Sequence, residues 1–443
     1  MSMTSPSNFL VQLITQCCWV LVGVALLLPV AVVAETRDGE KAEVEVMHWW
    51  HRSGEARAMR VLRDEFEDRG GIWHDVSGLN SESVLNRAVS RMAKGYAPTL
   101  VQWNSAWEIE QIRRLGLLNK ADPELNVFLR NSLIENLVDM ITVDGEIVAV
   151  PVNVHSENWL WYRNNRLQNP PSEIFTNWAL FLEEGRKRFN SPTPMQMLAV
   201  GDEPWQQRSL FNNVLLGIAG KELYERLYQQ LDVSAFDEER FKEAARTFQQ
   251  LSQYSSSFGD GRWDQQVAAV AGNKALAVVL GDFAKGEFKN LGLRYDKDFK
   301  CVPAPGTTNH ILLAMDFFVF GQVTTDSEKR GQELFVKVVT DPLTNETFNF
   351  LKGSLPPLKD IDAYSLDYCN QLAYTTLNRK GSAIRPYEST GDRGFLAEID
   401  HAISRLWSSE IDIDEWTAGF KSIIAKEKKK RMQTELYFVE GDH

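Results

Sequence analysis

The chain has 443 residues, and 48 Lys and Arg against 60 Asp and Glu give a formal net charge of −12, which argues against nucleic acid as its main partner. Hydrophobic residues at 44%, charged residues at 24% and a mean hydropathy of −0.29 exclude general disorder and a protein with many membrane spans. The length predicts two or three soluble domains.

The first predicted element is an N-terminal leader. An apolar run that ends in small residues at Ala34 predicts a secretory signal peptide over residues 1–34, and therefore export to the periplasm. An uncleaved membrane anchor is the alternative, because the apolar stretch that starts at Phe9 is long enough to span a bilayer. Cleavage would leave Cys301 and Cys369, for which an oxidising compartment favours one disulfide over two buried thiols.

Hydrophobic periodicity predicts alternating strands and helices along the rest of the chain. Strands are predicted at 44–48, 100–103, 141–143, 147–150, 152–162, 275–280 and 312–320. Helices are predicted after Gly54 as far as Gly70, and at 81–95, 108–116, 178–189, 204–216 and 237–251. Asp144 and Gly145 predict a hairpin turn, and 302–306 a stiff extended linker. This order predicts an α/β fold of two lobes with mainly parallel sheets.

Most catalytic signatures are absent from the sequence, including the P-loop, G-x-G-x-x-G, H-E-x-x-H, C-x-x-C and G-x-S-x-G. His48, His51 and Glu55 make a weak zinc candidate, because one strand sends the two histidines to opposite faces. A pair of catalytic carboxylates, as in glycoside hydrolases, stays open because 60 acidic residues supply many candidates.

Aromatic and polar residues follow the carboxyl ends of several predicted strands, the edge at which open α/β sheets bind ligands. In chain order they are Trp49, Trp50, Glu55, Gln102, Trp103, Asn104, Asp282 and Phe283. A sugar has an apolar face for an aromatic ring and a rim of hydroxyls for polar groups, so these residues favour a carbohydrate site. The alternative for each tryptophan is an anchor in the core.

Six segments resemble, in order and with similar spacing, the solute-binding proteins of bacterial ABC sugar importers, and most of all the periplasmic glucose-binding proteins. They are HWWHRSGEA at 48–56, PVNVHSENWLWY at 151–162, GDEPWQ at 201–206, GDFAKGEF at 281–288, CVPAPGT at 301–307 and KGSLPP at 352–357. The resemblance implies a type II periplasmic-binding-protein fold, in which two lobes joined by a multi-strand hinge enclose the ligand in a cleft. It also implies an inner-membrane permease as partner, with no cofactor, metal or catalytic residue.

The resemblance divides the mature chain into lobe 1, residues 35–150 and 303–345, and lobe 2, residues 151–302 and 346–443. It also implies roles for single residues. Trp49, Trp50 and Glu55 look like the family's first sugar-contacting segment, and Gln102 matches its second. Trp263, Asp316 and Lys352 fall where further stacking and hydrogen-bonding groups are expected.

Three positions depart from the family pattern. Asn104 stands where Lys or His is usual, Phe283 where Trp is usual, and the His expected after Arg385 is absent. We therefore expect a monomeric, non-catalytic receptor that delivers a mono- or oligosaccharide to its permease, and that binds free glucose weakly or prefers another sugar. Two alternatives are a secreted carbohydrate-active enzyme and a sugar receptor that signals.

Overall fold

The structure, a computed structural model, describes residues 41–164, 172–362, 366–379, 381–385, 391 and 393–441. All of them belong to one compact unit, Lys41–His443. The predicted leader at residues 1–34 and its cleavage site lie outside the described residues. Among the residues that are described, no helix combines the length and the apolar character needed to cross a bilayer.

The strands match the sequence pattern closely at their centres. In chain order they are β1 Glu43–His48, β2 Ile72–Ser77, β3 Leu100–Trp103, β4 Thr142–Val143, β5 Glu146–Ile147, β6 Ala149–Ser156, β7 Trp159–Arg163, β8 Gln196–Ala199, β9 Ser255–Ser256, β10 Ala275–Leu280, β11 Phe299–Pro303, β12 Ile311–Phe320 and β13 Ala383–Ile384. Asp144 and Gly145 join β4 to β5 with φ values of 51° and 79°, so the predicted hairpin turn is confirmed.

Helices fill most of the chain between the strands. They are α1 Ser53–Asp68, α2 Ser81–Ala93, α3 Ala106–Arg114, α4 Pro123–Ser132, α5 Glu135–Val138, α6 Trp178–Phe189, α7 Pro204–Tyr228, α8 Glu239–Ser252, α9 Trp263–Ala271, α10 Phe283–Asn290, α11 Asp326–Val339, α12 Pro342–Lys352, α13 Tyr368–Leu377, α14 Arg393–Trp407 and α15 Ile413–Gly441. The helix predicted at 204–216 extends further, and α7 consists of two helical segments that meet at a kink at Gly220, whose φ of 84° is non-helical; the second segment ends at Tyr228.

Two mixed sheets organise the fold. The first has the order β13-β12-β3-β1-β2, with β6 also paired to β12, and the second has the order β11-β7-β10-β8-β9. In the first sheet β1 is parallel to β2 and β3, but β12 is antiparallel to β3 and β6. The expectation of mainly parallel sheets is therefore wrong in detail, because β12 joins the first sheet in the direction opposite to its neighbours β3 and β6.

The chain passes from the first sheet to the second within the segment that the sequence pattern predicts as one strand, 152–162. The structure divides this segment into β6 and β7, with Glu157 and Asn158 between them. Asn158 is buried, and its side chain also reaches the return passage: Nδ2 donates to Thr307 Oγ1 at 3.0 Å, and Oδ1 accepts from the backbone N–H of Leu312 at 3.0 Å. One side chain thus ties two sheet-to-sheet passages together.

The linker predicted at 302–306 is partly a strand, because Val302 and Pro303 belong to β11 and pair with β7. Just before them Cys301 forms a disulfide with Cys369 in α13, so the predicted pairing is confirmed. The bond joins the edge strand of the second sheet to a helix 68 residues further along the chain. The proposed lobe boundaries stay a prediction.

Candidate functional site

The ends of three strands place four of the predicted site residues at one junction between the two sheets. Trp49 and Trp50 follow β1, Gln102 lies in β3, and Asp282 follows β10. Parallel neighbours such as β1 and β3 end at the same edge of a sheet, which brings their terminal side chains together. Gln102 is fully buried there and its Oε1 accepts from the backbone N–H of Trp49 at 3.1 Å.

Lys352 brings a buried positive charge to this junction from the last residue of α12. Its ammonium nitrogen lies 2.8 Å from Glu55 Oε1, and the side chains of Lys352 and Glu55 are 3% and 19% exposed. The same nitrogen lies 5.2 Å from the ring centroid of Trp50 and 5.4 Å from that of Phe283. An ammonium at this distance from a ring is attracted by its quadrupole, so Lys352 links a carboxylate to two aromatic faces.

Four buried side chains form a second group, here called the polar cluster: Gln102, His155, Asp282 and Asp316. His155 contributes Nδ1 to a short hydrogen bond with Asp282 Oδ1, and its Nε2 lies 3.1 Å from Asp316 Oδ2. Gln102 Nε2 donates to the other oxygen of Asp316 at 3.3 Å. Three hydrogen bonds therefore join side chains from β3, β6, β12 and the start of α10.

The charges of the polar cluster compensate one another. Burial alone lowers the pKa of His155, but the charge of Asp282 and the hydrogen bonds to Asp282 and Asp316 outweigh both burial and the charge of Lys352, and raise the pKa to about 9. Burial raises the pKa of Asp316, yet its hydrogen bond with His155 and the positive charges of His155 and Lys352 lower it overall. At neutral pH these two side chains form an ion pair.

Three rings form a third group, here called the aromatic cluster: Trp205, Trp263 and Phe283. Phe283 meets the other two edge to face, with centroid distances of 6.1 Å to Trp205 and 5.2 Å to Trp263. All three rings are partly exposed, and Phe283 also lies edge-on to His155 at 5.7 Å. The aromatic cluster therefore borders the polar cluster and offers ring surface beside it.

Two further predicted positions lie apart from these contacts. Asn104 is exposed, and its side chain makes no hydrogen bond to another described residue. Trp103 is fully buried and donates its indole N–H to Glu108 at 2.7 Å, which is consistent with the core-anchor alternative for this one tryptophan. Arg393, from the first turn of α14, pairs with the other oxygen of Glu108 at 3.1 Å.

Sequence reasoning missed His155, Trp205 and Arg393. The signal for His155 was available, since Asn153 and His155 are polar residues that alternate with valines in an apolar strand, and buried polar groups need partners. Trp205 lies in the quoted segment at 201–206 but gave no sign of its contact with Phe283. No pattern in the sequence pointed to Arg393, because its partners are about 300 residues away.

The described residues contain no group of three or more metal-binding side chains. His48, the weak zinc candidate, is buried and bonds through Nε2 to Asp75 Oδ1 at 3.1 Å, beside a cavity of about 190 Å³ that Trp50 and His51 also line. The junction combines ring faces with buried, directional donors and acceptors. That combination suits a neutral, hydroxyl-rich ligand with an apolar face.

Curated proteins with similar sequences carry a consistent description. A "Probable sugar-binding periplasmic protein" from Brucella suis is 31% identical over 368 residues, which are 81% of this chain and 86% of that protein. This chain belongs to that family of sugar-binding periplasmic proteins. A protein of the same description from Rhizobium meliloti is 30% identical over 347 residues, 77% of this chain and 82% of that one.

One further curated relative has a description that fits this family. An uncharacterized ABC transporter extracellular-binding protein from Pyrococcus horikoshii is 26% identical over 395 residues, 85% of this chain and 86% of its own. No protein-family model matches the chain.

Solved structures show the same fold at much lower sequence identity. A chitin oligosaccharide binding protein superposes with a TM-score of 0.74 at 14% identity and covers 88% of this chain and 100% of its own. The bacterial solute receptor AcbH, described as having a preference for β-D-galactopyranose, superposes with a TM-score of 0.73 at 13% identity, covering 89% and 99%. The fold is thus that of the two-domain solute receptors, as the sequence resemblance implies.

Proposed function

We propose that this chain is the receptor of an ABC importer, and that it binds a mono- or oligosaccharide at the junction of its two sheets. The observation that carries the proposal is the meeting of Lys352, the polar cluster and the aromatic cluster at one point, with side chains supplied by both sheets. Relatives described as sugar-binding periplasmic proteins support the substrate class, and a relative described as an ABC transporter extracellular-binding protein supports the role in transport. The partner would be an inner-membrane permease, and the receptor itself a monomer.

Export of the chain to the periplasm is part of the same proposal. The family is periplasmic by description, and the apolar run at residues 20–34 supports a signal peptide that is removed after Ala34. Mass measurement of the protein purified from a periplasmic extract tests this step. A mature chain that begins at Glu35 supports cleavage, whereas retention of residues 1–34 in a membrane fraction supports the anchor.

The receptor is proposed to bind its sugar without converting it. Asp282 and Asp316 are the two acids of the polar cluster, and both are hydrogen-bonded to one imidazole, an arrangement that does not leave them as a free acid and base pair. Incubation of the protein with each sugar that it binds, followed by chromatography of the products, tests this statement. Turnover of any bound saccharide would contradict it and favour the enzyme alternative.

The preferred sugar is proposed to differ from free glucose. Of the described side chains that could replace the family's missing donors, Lys359 bonds to the backbone oxygen of Arg130, and Trp103 bonds to Glu108. Neither of them supplies a donor to the junction, and Asn104 is exposed. Because specificity comes from leaving the wrong ligand unpaired, losing a charged donor changes which hydroxyl pattern is satisfied.

Isothermal titration with a sugar panel tests the proposed function directly. The panel comprises glucose, galactose, methyl β-glucoside, maltose, cellobiose, xylobiose and diacetylchitobiose. We expect at least one of them to bind, and glucose not to bind tightest. The matched variants are Lys352→Met at the junction and Lys337→Met, an exposed lysine on α11. Loss of a charge-assisted hydrogen bond is worth about 1.5–3 kcal/mol, so the first should bind roughly 10- to 150-fold more weakly and the second as wild type.

A further inference from the structure

His155 lies where the chain leaves the first sheet, at the second-last residue of β6. Its backbone pairs with Ala314 of β12, and its ring reaches Asp282 at the end of the second sheet's β10. The ring therefore stands between a carboxylate on each side, Asp282 from the second sheet and Asp316 from the first. The exposed fractions of the three side chains are 7%, 0% and 9%, so water does not compete for these bonds.

The remaining oxygen atoms of both carboxylates have fixed donors. Asp282 Oδ2 accepts from the backbone N–H of Ser156 at 3.0 Å, while Asp316 Oδ1 accepts from Gln102. The backbone N–H of Asp316 donates in turn to Asn153 Oδ1 at 3.0 Å. Each acid is thereby held in one rotamer, and the ring of His155 is the element common to both.

The two flanking carboxylates favour a doubly protonated ring, although Asn153 Nδ2 also lies 3.0 Å from His155 Nε2 and can donate to it if the ring is neutral. A neutral imidazole has one N–H and could donate to only one carboxylate, which would leave the other facing a lone pair in a buried site. An imidazolium donates to both and neutralises one of two buried negative charges. Lys352 from α12 supplies the second positive charge, and these three charged groups are the ones that act on the ring from α10, β12 and α12.

We propose that His155, as a buried imidazolium, is a positioning residue that sets sugar affinity by fixing the orientation of Asp282 and Asp316 across the two sheets; this rests on the function proposed above. Nδ1 faces Asp282, and Nε2 faces both Asp316 and Asn153, so the ring has no polar atom left for a sugar hydroxyl. Its effect on binding therefore passes through the two acids. A carboxylate already in the right rotamer loses less conformational entropy when a hydroxyl binds to it.

The deciding variant is His155→Gln, which keeps a side-chain donor and acceptor but cannot carry a charge. The matched control is His74→Gln, since His74 also bonds to a carboxylate, Glu43, but lies exposed on β2. The probe is whichever sugar of the panel binds wild type tightest, titrated at pH 6.5, 7.5, 9 and 10. Circular dichroism at each pH confirms that the protein is folded.

We expect His155→Gln to bind this sugar at least 10-fold more weakly at pH 7.5, and with a flat profile from pH 6.5 to 10. Wild type and His74→Gln should bind alike at pH 7.5 and lose affinity together above pH 9. A purely structural role would lower the melting temperature of His155→Gln but leave the affinity and pH profile of the folded protein as in wild type. That outcome would overturn the proposal.

A second measurement needs no sugar. Nitrogen-15 chemical shifts of the imidazole ring should report two protonated nitrogens for His155 at pH 7, and a neutral ring at that pH contradicts the inference. If wild type binds no sugar of the panel, the proposed function fails and this inference fails with it. If wild type binds and His155→Gln binds equally well, only the role of His155 is refuted.

Discussion

The polar cluster and the aromatic cluster adjoin at Phe283 but differ in how firmly they are held. Each member of the polar cluster is buried and has at least two hydrogen-bond partners from other elements. The rings of the aromatic cluster are partly exposed and meet only edge to face. Hydrogen bonds are directional and ring contacts tolerate many orientations, so we assign discrimination between sugars to the first group and adaptable apolar contact to the second.

Lys352 connects the two groups. Its ammonium faces the ring of Phe283 and acts electrostatically on both His155 and Asp316. We therefore expect the free energy of unfolding to depend strongly on the polar cluster. The affinity for the apolar face of the sugar should depend on the aromatic cluster. Three substitutions, each with a matched control, and one change of pH separate these contributions.

The largest effect is expected from Asp316→Ala. Removing one member of a buried ion pair leaves the other charge without a partner and typically costs about 3–5 kcal/mol of the free energy of unfolding. The matched control is Glu43→Ala, which also takes a carboxylate from a histidine, but at an exposed pair where the cost is about 1 kcal/mol or less. Urea denaturation at pH 7 measures both. Equal losses would show that the polar cluster is no more tightly coupled than the surface.

Raising the pH should weaken the folded state through His155. Its pKa of about 9 in the folded protein exceeds 6.5, so the folded state binds the extra proton, and this stabilisation is full below pH 6.5 and lost as the pH rises through 9. The difference of about 2.5 units corresponds to about 3 kcal/mol. Urea denaturation of wild type at pH 6.5 and 10 measures the loss.

Lys289 titrates in this range with the opposite sign. Burial, together with the charge of Lys285, lowers the pKa of Lys289 to about 8, so stability associated with Lys289 rises with pH. Subtracting the pH profile of His155→Gln from that of wild type removes this contribution, because Lys289 is common to both. A difference profile without slope between pH 6.5 and 10 is the result that contradicts the assignment.

Gly286→Ala is expected to disturb the distance between α10 and α12. A methyl group at Gly286 would lie 2.6 Å from the carbonyl oxygen of Lys352 and 2.8 Å from that of Leu351, so one helix must move. Overpacking of this kind costs about 1–3 kcal/mol. Movement of α10 would also carry Asp282, at its N-terminus, away from His155 and weaken sugar binding.

The control for this substitution is Gly419→Ala in α15. Apart from the adjacent backbone of α15 itself, no described atom lies within 4 Å of the added methyl group there, and alanine favours a helix over glycine by up to about 1 kcal/mol. Urea denaturation and titration with the tightest-binding sugar should show a loss of stability and affinity for the first variant, and a small gain in stability with unchanged affinity for the second. If both variants gain stability, the contact between α10 and α12 is not tight in solution.

The sequence predicts the elements of this fold better than their pairing. Strands at 100–103 and 275–280 and the helix at 178–189 are recovered to the residue, because their apolar periodicity and flanking turns are local properties. The break between β6 and β7 was missed, since apolar residues alternate on both sides of Asn158 and only the tertiary structure shows that they join different sheets. The antiparallel pairing of β12 with β3 and β6 was missed for the same reason.

The site residues also differ in how well the sequence alone predicts their contacts. Lys352 and Glu55, nearly 300 residues apart, could be placed together only through the resemblance to a known family, and the structure brings them to 2.8 Å. Asn104, expected at the site from its position after a strand and from the resemblance, is exposed, and its role stays a prediction. The polar position of His155 among valines is visible in the sequence, but its two partners, acids from distant parts of the chain, are not.

The smallest effect is expected from Phe283→Leu, which probes the aromatic cluster alone. Leucine keeps the apolar character and much of the volume of this partly exposed residue but has no ring face, and an aromatic contact adds about 0.5–1.5 kcal/mol beyond buried area. Affinity for the tightest-binding sugar should fall roughly 2- to 12-fold, with little change in the free energy of unfolding. The control is Phe350→Leu, whose exposed ring on α12 lies beside Lys289. Because the polar cluster is intact in both variants, the order of preference within the sugar panel should stay as in wild type. A changed order in Phe283→Leu would mean that the rings, and not only the buried acids, select the sugar.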